Sequence, residues 1–321
     1  MHVIESGNVA AASGVKLAKV QVIAAYPITP QTPLTEKLSE FVDAGEMDAE
    51  YIPVESEHSA LAVCIAAAST GARAFTATSA NGLLYMNEQL HWAAGARLPI
   101  VMCVVNRGIG APWTVWNDHQ DAISQRDTGW IQVYCADHQQ IIDTVLKAFY
   151  LAETVSAPVM VCYDGYILSH TYMPFDVPDQ ALVDQFLPPF SPAYALTPGQ
   201  PANLNVRPCR TSVRMRAATW PWAWRSGITC TWICGMPLGS WRISTVGSET
   251  IFGRNGDPYI EAYQCEDADF VAICLGSLSY HLRCGGYSVA MTAFPGGCHG
   301  LRLYRPLPDQ AVREAPCGRK A

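Results

Sequence analysis

Glu55, Glu57 and His58 stand together in Val54-Glu55-Ser56-Glu57-His58-Ser59, directly before the apolar run from Ala60 to Ala68. A carboxylate at the mouth of an apolar helix is withheld from water. In that setting a carboxyl group can hold a proton and serve as an acid. The plainer role for both acids is to face the positive end of a helix dipole. Residue type alone leaves both roles open. Arg107, in Asn106-Arg107-Gly108-Ile109-Gly110, follows a second apolar run. An arginine on a strand-end loop can fork onto a carboxylate ligand, and the alternative is an ordinary surface arginine. The GxG in that loop is not a dinucleotide fingerprint. Trp113 stands where the third glycine belongs, and Pro112 precedes it where a helix should start. Asp118-His119-Gln120-Asp121 lacks calcium-loop spacing, and a turn capped by Asp118 fits it better. Asp164-Gly165 reads as a tight turn after a strand. Neither His58 nor His119 has a nucleophile at a recognisable elbow, so triad chemistry has no support.

The elements that must position these residues alternate. The pattern predicts a helix over 8–19 capped by Ser6, a strand over 22–26, and a helix over 33–42 with Pro33 in its first turn. A strand over 51–54 leads into a helix over 59–69, which is apolar all round and therefore expected to be buried. A strand over 73–78, one helix over 83–94, and a continuously apolar strand over 100–105 follow. A strand over 132–135, a helix over 139–154 and a strand over 158–163 continue the series. This order predicts an α/β fold with an open, doubly wound parallel sheet. Ligands in such sheets bind off the carboxyl ends of the strands, where residues 26–30, 55–58, 78–82 and 106–121 converge.

Half of the 321 residues are hydrophobic and 15% are charged, which fits a globular enzyme of about two domains and excludes a disordered chain. A net charge of −7 argues against a nucleic-acid partner. No apolar run reaches the roughly 18 residues of a membrane span, and the N-terminus has no signal-peptide core. The expected location is the cytoplasm. Cys64, Cys103, Cys135 and Cys162 sit singly in apolar segments and read as small buried hydrophobes. Cys230 and Cys234 have nothing nearby to complete a zinc or iron–sulfur set, so no metal site is expected in this chain.

Composition changes after about Phe190. Ser191 to Ser248 contains no acidic residue and no lysine, yet it holds five of the nine tryptophans. Normal composition returns from Glu249, lapses over Cys284 to Gly300, and returns from Leu301. Two readings compete: a tryptophan-rich interaction surface, or stretches translated out of frame. The second is preferred, because charge, periodicity and turn chemistry fail together. The chain thus divides into 1–190, an anomalous linker over 191–248, and a smaller, apparently incomplete α/β unit over 249–321.

Six motifs occur in order: Tyr26-Pro27-Ile28-Thr29-Pro30, Val54 to Ser59, Thr76-Ala77-Thr78-Ser79, Asn106-Arg107, Asn117 to Asp121, and Gln125 to Trp130. Together they resemble the alpha subunits of pyruvate:ferredoxin oxidoreductases, within the 2-oxoacid:ferredoxin oxidoreductase family. The resemblance is close over 1–190 and resumes at 251–254, 259–264 and 301–306. It implies a domain of the thiamine-diphosphate pyrimidine-binding type, followed by a unit of the transketolase C-terminal type. It also implies oxidative decarboxylation of a 2-oxoacid to acyl-CoA and CO2, with electrons passed to ferredoxin. By motif position, Glu57 corresponds to the glutamate on the cofactor's pyrimidine, and Pro27, Ile28 and Thr29 to residues beside the cofactor. Thr29 and Arg107 correspond to the threonine and arginine at the substrate, and Glu55 keeps the plain helix-dipole role. No Gly-Asp-Gly diphosphate motif is present. The resemblance accordingly assigns Mg2+ and the iron–sulfur clusters to partner beta, gamma and delta subunits, with pyruvate and coenzyme A as substrates. A different reading is a non-catalytic alpha chain that folds its first domain and does not complete the complex.

Overall fold

The computed structural model describes residues 1–110, 114–192, 239–248, 251–254, 257–266, 268–283 and 296–316. The chain starts with β1 (His2–Ser6) and α1 (Gly7–Leu17), whose N-cap Ser6 accepts from the Val9 amide. β2 (Val22–Ala25), α2 (Thr32–Asp43), β3 (Glu50–Pro53), α3 (Glu57–Thr70) and β4 (Ala74–Thr78) follow in strict alternation. Next come α4 (Ala80–Tyr85), α5 (Asn87–Gly95), β5 (Val101–Asn106), α6 (Gln120–Ser124), β6 (Ile131–Tyr134), α7 (His138–Val155) and β7 (Val159–Asp164). β8 (Tyr172–Asp176) returns to pair antiparallel with β1, a small sheet that the periodicity did not predict. α8 (Gln180–Phe186) closes this part of the chain.

The main sheet has the order β12-β6-β7-β5-β4-β2-β3, where β12 is Leu303–Arg305. β2 to β7 are mutually parallel, and β12 adds an antiparallel edge to β6. β4, β5, β6 and β7 are buried at every residue, which explains their unbroken apolar runs. Alternate side chains serve opposite faces. Val101, Cys103, Val105, Val159 and Val161 pack on α1 and α7, while Met102, Val104, Met160 and Cys162 pack on α3 to α5. β2 leads through α2 to β3 on one side, and β3 leads through α3 back past β2 to β4. The winding reverses between β2 and β4, and ligands of open α/β sheets bind outside the strand ends at such a reversal.

Two expectations need correction. α3 is not buried all round. Glu57, Ala60, Leu61, Cys64 and Ala68 form its inward stripe, and Ala66 is exposed. An alanine-rich helix has an apolar outer face without needing to bury it, because alanine adds little apolar area to either side. The single helix over 83–94 is two helices that meet at Met86, whose side chain is fully buried.

In the rest of the chain, α9 (residues 239–248) buries Trp241, and that indole Nε1 donates to the Pro258 carbonyl at 2.6 Å. β9 (Ile260–Tyr263), β10 (Phe270–Leu275), α10 (Ser277–His281) and β11 (Gly296–Leu301) follow, with sheet order β10-β11-β9. β10 and β11 are parallel. Thus 239–248 and 296–300, inside the stretches read as out of frame, are built into regular structure. The remainder of that reading, with Cys230 and Cys234, lies outside the described residues. No helix among the described residues is long and apolar enough to cross a membrane.

Candidate functional site

The site lies along the carboxyl edge of the main sheet. After β3 the chain turns at Ser56, which caps α3 by accepting from the Ser59 amide at 3.2 Å. Glu55 is thereby left outside the helix, exposed, where its carboxylate accepts from the Ser59 hydroxyl. That bond is the main reason its carboxyl is held below the usual carboxylate range. Glu57 falls on the first helical residue and is only 8% exposed. It has no hydrogen-bond or ion-pair partner among the described residues. Thr78, which shares the space around Gly82 with it, has a buried hydroxyl without a partner among the described residues, and so does Ser79, the next residue in the chain. A buried polar group without a partner costs free energy unless a ligand or water completes it. These groups form an incomplete polar pocket.

Gly82, in the first turn of α4, makes this arrangement possible. A Cβ there would collide with Thr78 Oγ1 and stand 2.6 Å from Glu57 Oε1 and 2.8 Å from Glu57 Cγ. A Gly82→Ala chain must therefore displace the Glu57 carboxylate. Overpacking of this kind costs about 1–3 kcal/mol. Denaturant unfolding of the full chain should show that loss, and an unchanged midpoint would remove Gly82 from the Glu57 seat.

The loop after β2 carries Pro27, Ile28 and Thr29. Pro27 and Thr29 are exposed and Ile28 is half-buried. Buried Gln31 shapes the loop by accepting from the Ile28 amide at 3.3 Å and donating to the Ala77 carbonyl at 3.1 Å. Buried Asn8 donates to the Pro30 carbonyl at 3.0 Å. Arg107 follows β5, and its Nη1 donates to the Thr29 carbonyl at 2.7 Å. The structure thus joins Arg107 to Thr29, as strand-end placement requires. Burial lowers the Arg107 guanidinium somewhat, opposed by the charge of Asp121.

Asp121, read in the sequence only as the last residue of the Asp118 to Asp121 turn, is fully buried. Its Oδ2 accepts from the Ala80 amide at 2.9 Å and the Arg107 amide at 3.2 Å. Its Oδ1 accepts from Asn106 Nδ2 and the Ala122 amide, both at 2.7 Å. Burial pushes its carboxyl up to about 6, against the pull of these four donors. Asp118 accepts from the Gln120 amide at 2.8 Å, a local turn, while His119 holds the N-cap position of α6. Asp164 also differs from its expected role as a turn residue. It is fully buried, meets His119 Nε2 at 2.5 Å and accepts from the Ser277 amide at 2.6 Å. Burial pulls the His119 imidazole down, but the Asp164 bond and the nearby charges of Asp164, Asp121 and Asp118 outweigh it and raise it. Gly276, at φ +63°, admits this contact, since a Cβ would stand 2.8 Å from both Asp164 oxygens. A spacing argument could not find Asp121 or Asp164, because their donors come from distant segments. The one local hint was at Asp164, a charged residue directly after the apolar run of β7.

His58 contacts Gln89 Nε2 at 3.1 Å and takes no part in a nucleophilic array. Cys64, Cys103, Cys135 and Cys162 are fully buried and unpaired. Burial pushes the Cys64 and Cys135 thiols up to about 12, as expected of inert core cysteines. Among the described residues no histidine, cysteine or carboxylate group is arranged to hold a metal ion.

Residues 13–228 match the family described as pyruvate flavodoxin/ferredoxin oxidoreductase, thiamine diphosphate-binding. The chain belongs to that family. Among its relatives is the ketoisovalerate oxidoreductase subunit VorA of Pyrococcus horikoshii, 45% identical over 313 residues, which cover 97% of this chain and 77% of that protein. The pyruvate synthase subunit PorA of Methanocaldococcus jannaschii is 43% identical over 318 residues, covering 96% of this chain and 78% of that one. A solved 2-oxoglutarate:ferredoxin oxidoreductase from Magnetococcus marinus superposes with a TM-score of 0.70 at 20% identity, over 98% of this chain and 56% of that chain. This last likeness bears on the fold alone.

Proposed function

We propose that this chain is the alpha subunit of a thiamine-diphosphate-dependent 2-oxoacid:ferredoxin oxidoreductase. The reaction is oxidative decarboxylation of a small 2-oxoacid to acyl-CoA and CO2, with electrons delivered to ferredoxin. The observation that carries this reading is the buried, unpartnered Glu57 carboxylate, set with the orphaned Thr78 hydroxyl around Gly82 on the ligand edge of the sheet. That donor and acceptor set fits the aminopyrimidine half of the cofactor. Thiamine diphosphate, when bound, supplies the nucleophilic carbon that adds to the keto group. Glu57 holds or releases a proton at the pyrimidine ring, and its burial keeps competing water away. Pro27, Ile28 and Thr29 border the cofactor, and the Arg107 guanidinium pairs with the substrate carboxylate.

The site is half of one. The exposed Tyr85 and Trp92, 59% and 63% accessible, lie on α4 and α5 beside Glu57's helix. Large apolar groups exposed together suit a partner surface. We assign that partner to the beta subunit, which brings the diphosphate-binding half and Mg2+, while gamma and delta subunits complete the electron path with the iron–sulfur clusters. Residues 1–190 form the pyrimidine-binding unit in this proposal, and 249–321 the smaller one. No observation favours the non-catalytic reading of the chain.

The names of the relatives divide between pyruvate and ketoisovalerate, so the substrate class is a monocarboxylic 2-oxoacid and pyruvate is our first choice. The test is ferredoxin reduction by the complex assembled with its partner subunits, thiamine diphosphate, Mg2+ and coenzyme A. Pyruvate, ketoisovalerate and 2-oxoglutarate are compared in the same assay. An assembled complex that reduces ferredoxin with none of them refutes the reading. In the same assay Arg107→Lys should raise KM for the preferred 2-oxoacid roughly 10–100-fold with a smaller change in kcat, because lysine cannot reproduce the planar fork. An unchanged KM would remove Arg107 from substrate binding.

A further inference from the structure

Glu57 and Arg107 reach the site from different strands, yet one buried side chain touches the supports of both. Asp121 Oδ2 accepts from the Ala80 amide, the first residue of α4, and from the Arg107 amide at the end of β5. Its other oxygen is held by Asn106 and by its own neighbour Ala122, so the carboxylate is clamped by four donors. Ala80 has φ +41°, a left-handed conformation that costs an alanine free energy and persists only where its surroundings enforce it. The Asp121 bond supplies that enforcement, and α4 starts from the strained residue. Two residues on, Gly82 meets the Glu57 carboxylate and Thr78. The route from Asp121 to Glu57 therefore runs through Ala80 and Gly82. The route from Asp121 to Arg107 is a direct main-chain bond.

We propose that Asp121 is a positioning residue that sets the Glu57 side and the Arg107 side of the site together. The proposal rests on the function assigned above to Glu57 and Arg107. Four donors and no acceptor converge on the carboxylate, so an amide in its place turns one acceptor into a donor facing donors. Asp121→Asn should then loosen both supports at once. A defect confined to Glu57's seat lowers kcat, and one confined to Arg107 raises KM. Loss of a shared support does both.

The test uses the complex assembled around the full chain, with steady-state kinetics and thiamine diphosphate affinity as separate readouts. Asp121→Asn is expected to lower kcat on the order of 10-fold or more, raise KM for the 2-oxoacid several-fold, and weaken thiamine diphosphate binding. Adding Ala80→Gly removes the strain at φ +41°, since glycine takes that conformation freely. It should recover kcat and cofactor affinity at least several-fold while leaving KM raised, a split that general destabilisation cannot produce. Asp121→Asn within about threefold of the parent on all three readouts would overturn the proposal. Recovery of KM alongside kcat, or no recovery at all, would also overturn it. If Asp121→Asn does not fold, Asn106→Ala deletes one of the four donors and keeps the carboxylate, and it must show the same split in smaller amplitude. If the parent complex reduces no ferredoxin, the functional reading falls. The link is then judged by thermal unfolding of the full chain: Ala80→Gly must offset part of the Asp121→Asn loss, and additive losses refute it.

Discussion

Glu57→Gln is expected to cut ferredoxin reduction by the assembled complex about 10³-fold while leaving the chain as stable as its parent or slightly more so. The two halves of this result have separate causes. A carboxyl group positioned for proton transfer contributes roughly 10²–10⁴-fold to rate, and glutamine can neither hold nor release that proton. Glu57 is nonetheless a poor contributor to folding. It is 8% exposed and has no partner among the described residues, so folding removes a polar group from water without a hydrogen bond in return. An amide of the same shape costs no more to bury. Catalytic groups commonly trade stability for reactivity in this way. Thiamine diphosphate should bind about 10–100-fold more weakly, the worth of one hydrogen bond to a charged group. The decisive pair of measurements is kcat in the assembled complex and the melting temperature of the full chain. Activity within threefold of the parent would end the assignment of Glu57. A large fall in melting temperature would show that its carboxylate has a structural partner.

Arg73→Ala should destabilise the chain by about 3–5 kcal/mol. Arg73 is 4% exposed. Its Nε and Nη2 form a fork on Glu153 at 2.5 and 3.0 Å. Nη2 also reaches the Pro188 carbonyl at 2.9 Å, and Nη1 the Ala18 carbonyl. One guanidinium thus ties the end of α1, the start of β4, helix α7 and the segment after α8. Alanine would leave a half-buried carboxylate and two carbonyls without this donor. Burial already raises the Glu153 carboxyl, and Arg73 is what opposes that rise. Without Arg73 its folded-state value climbs further above the unfolded one. A group raised in the folded state costs stability above that value and none below the unfolded value. The Arg73→Ala deficit should therefore be complete above the raised value and shrink as pH falls through it. Thermal unfolding across pH checks this. A deficit that grew on acidification would contradict the assignment. An Arg73→Met, Glu153→Met pair should regain most of the loss, because it removes both charges together.

The element order was legible because the strands are buried on both faces. Ile100 to Val105 and Pro158 to Tyr163 read as apolar runs for the same reason that they occupy the centre of a parallel sheet. β1, β8 and β12 were not legible. Short edge strands with one exposed face carry too little pattern to stand out, and β8 even contains Pro174. The break at Met86 was hidden because neither glycine nor proline stands at the Tyr85-Met86-Asn87 junction.

Within the site, residue order placed Thr29, Glu57 and Arg107 on strand ends, and strand ends of a parallel sheet share one edge. That much the chain determined by itself, along with its family. Only the tertiary structure decided between the two acids. Glu55 and Glu57 are two residues apart with the same chemistry, but Ser56 is the cap, so one stays in water and the other enters the helix against Gly82. Only the tertiary structure revealed that Asp121 and Asp164, read as turn residues, are buried carboxylates. Ala80 lies 41 residues from Asp121, and Ser277 lies 113 from Asp164. A buried carboxylate is defined by the donors around it, and those donors meet only when distant segments are folded together.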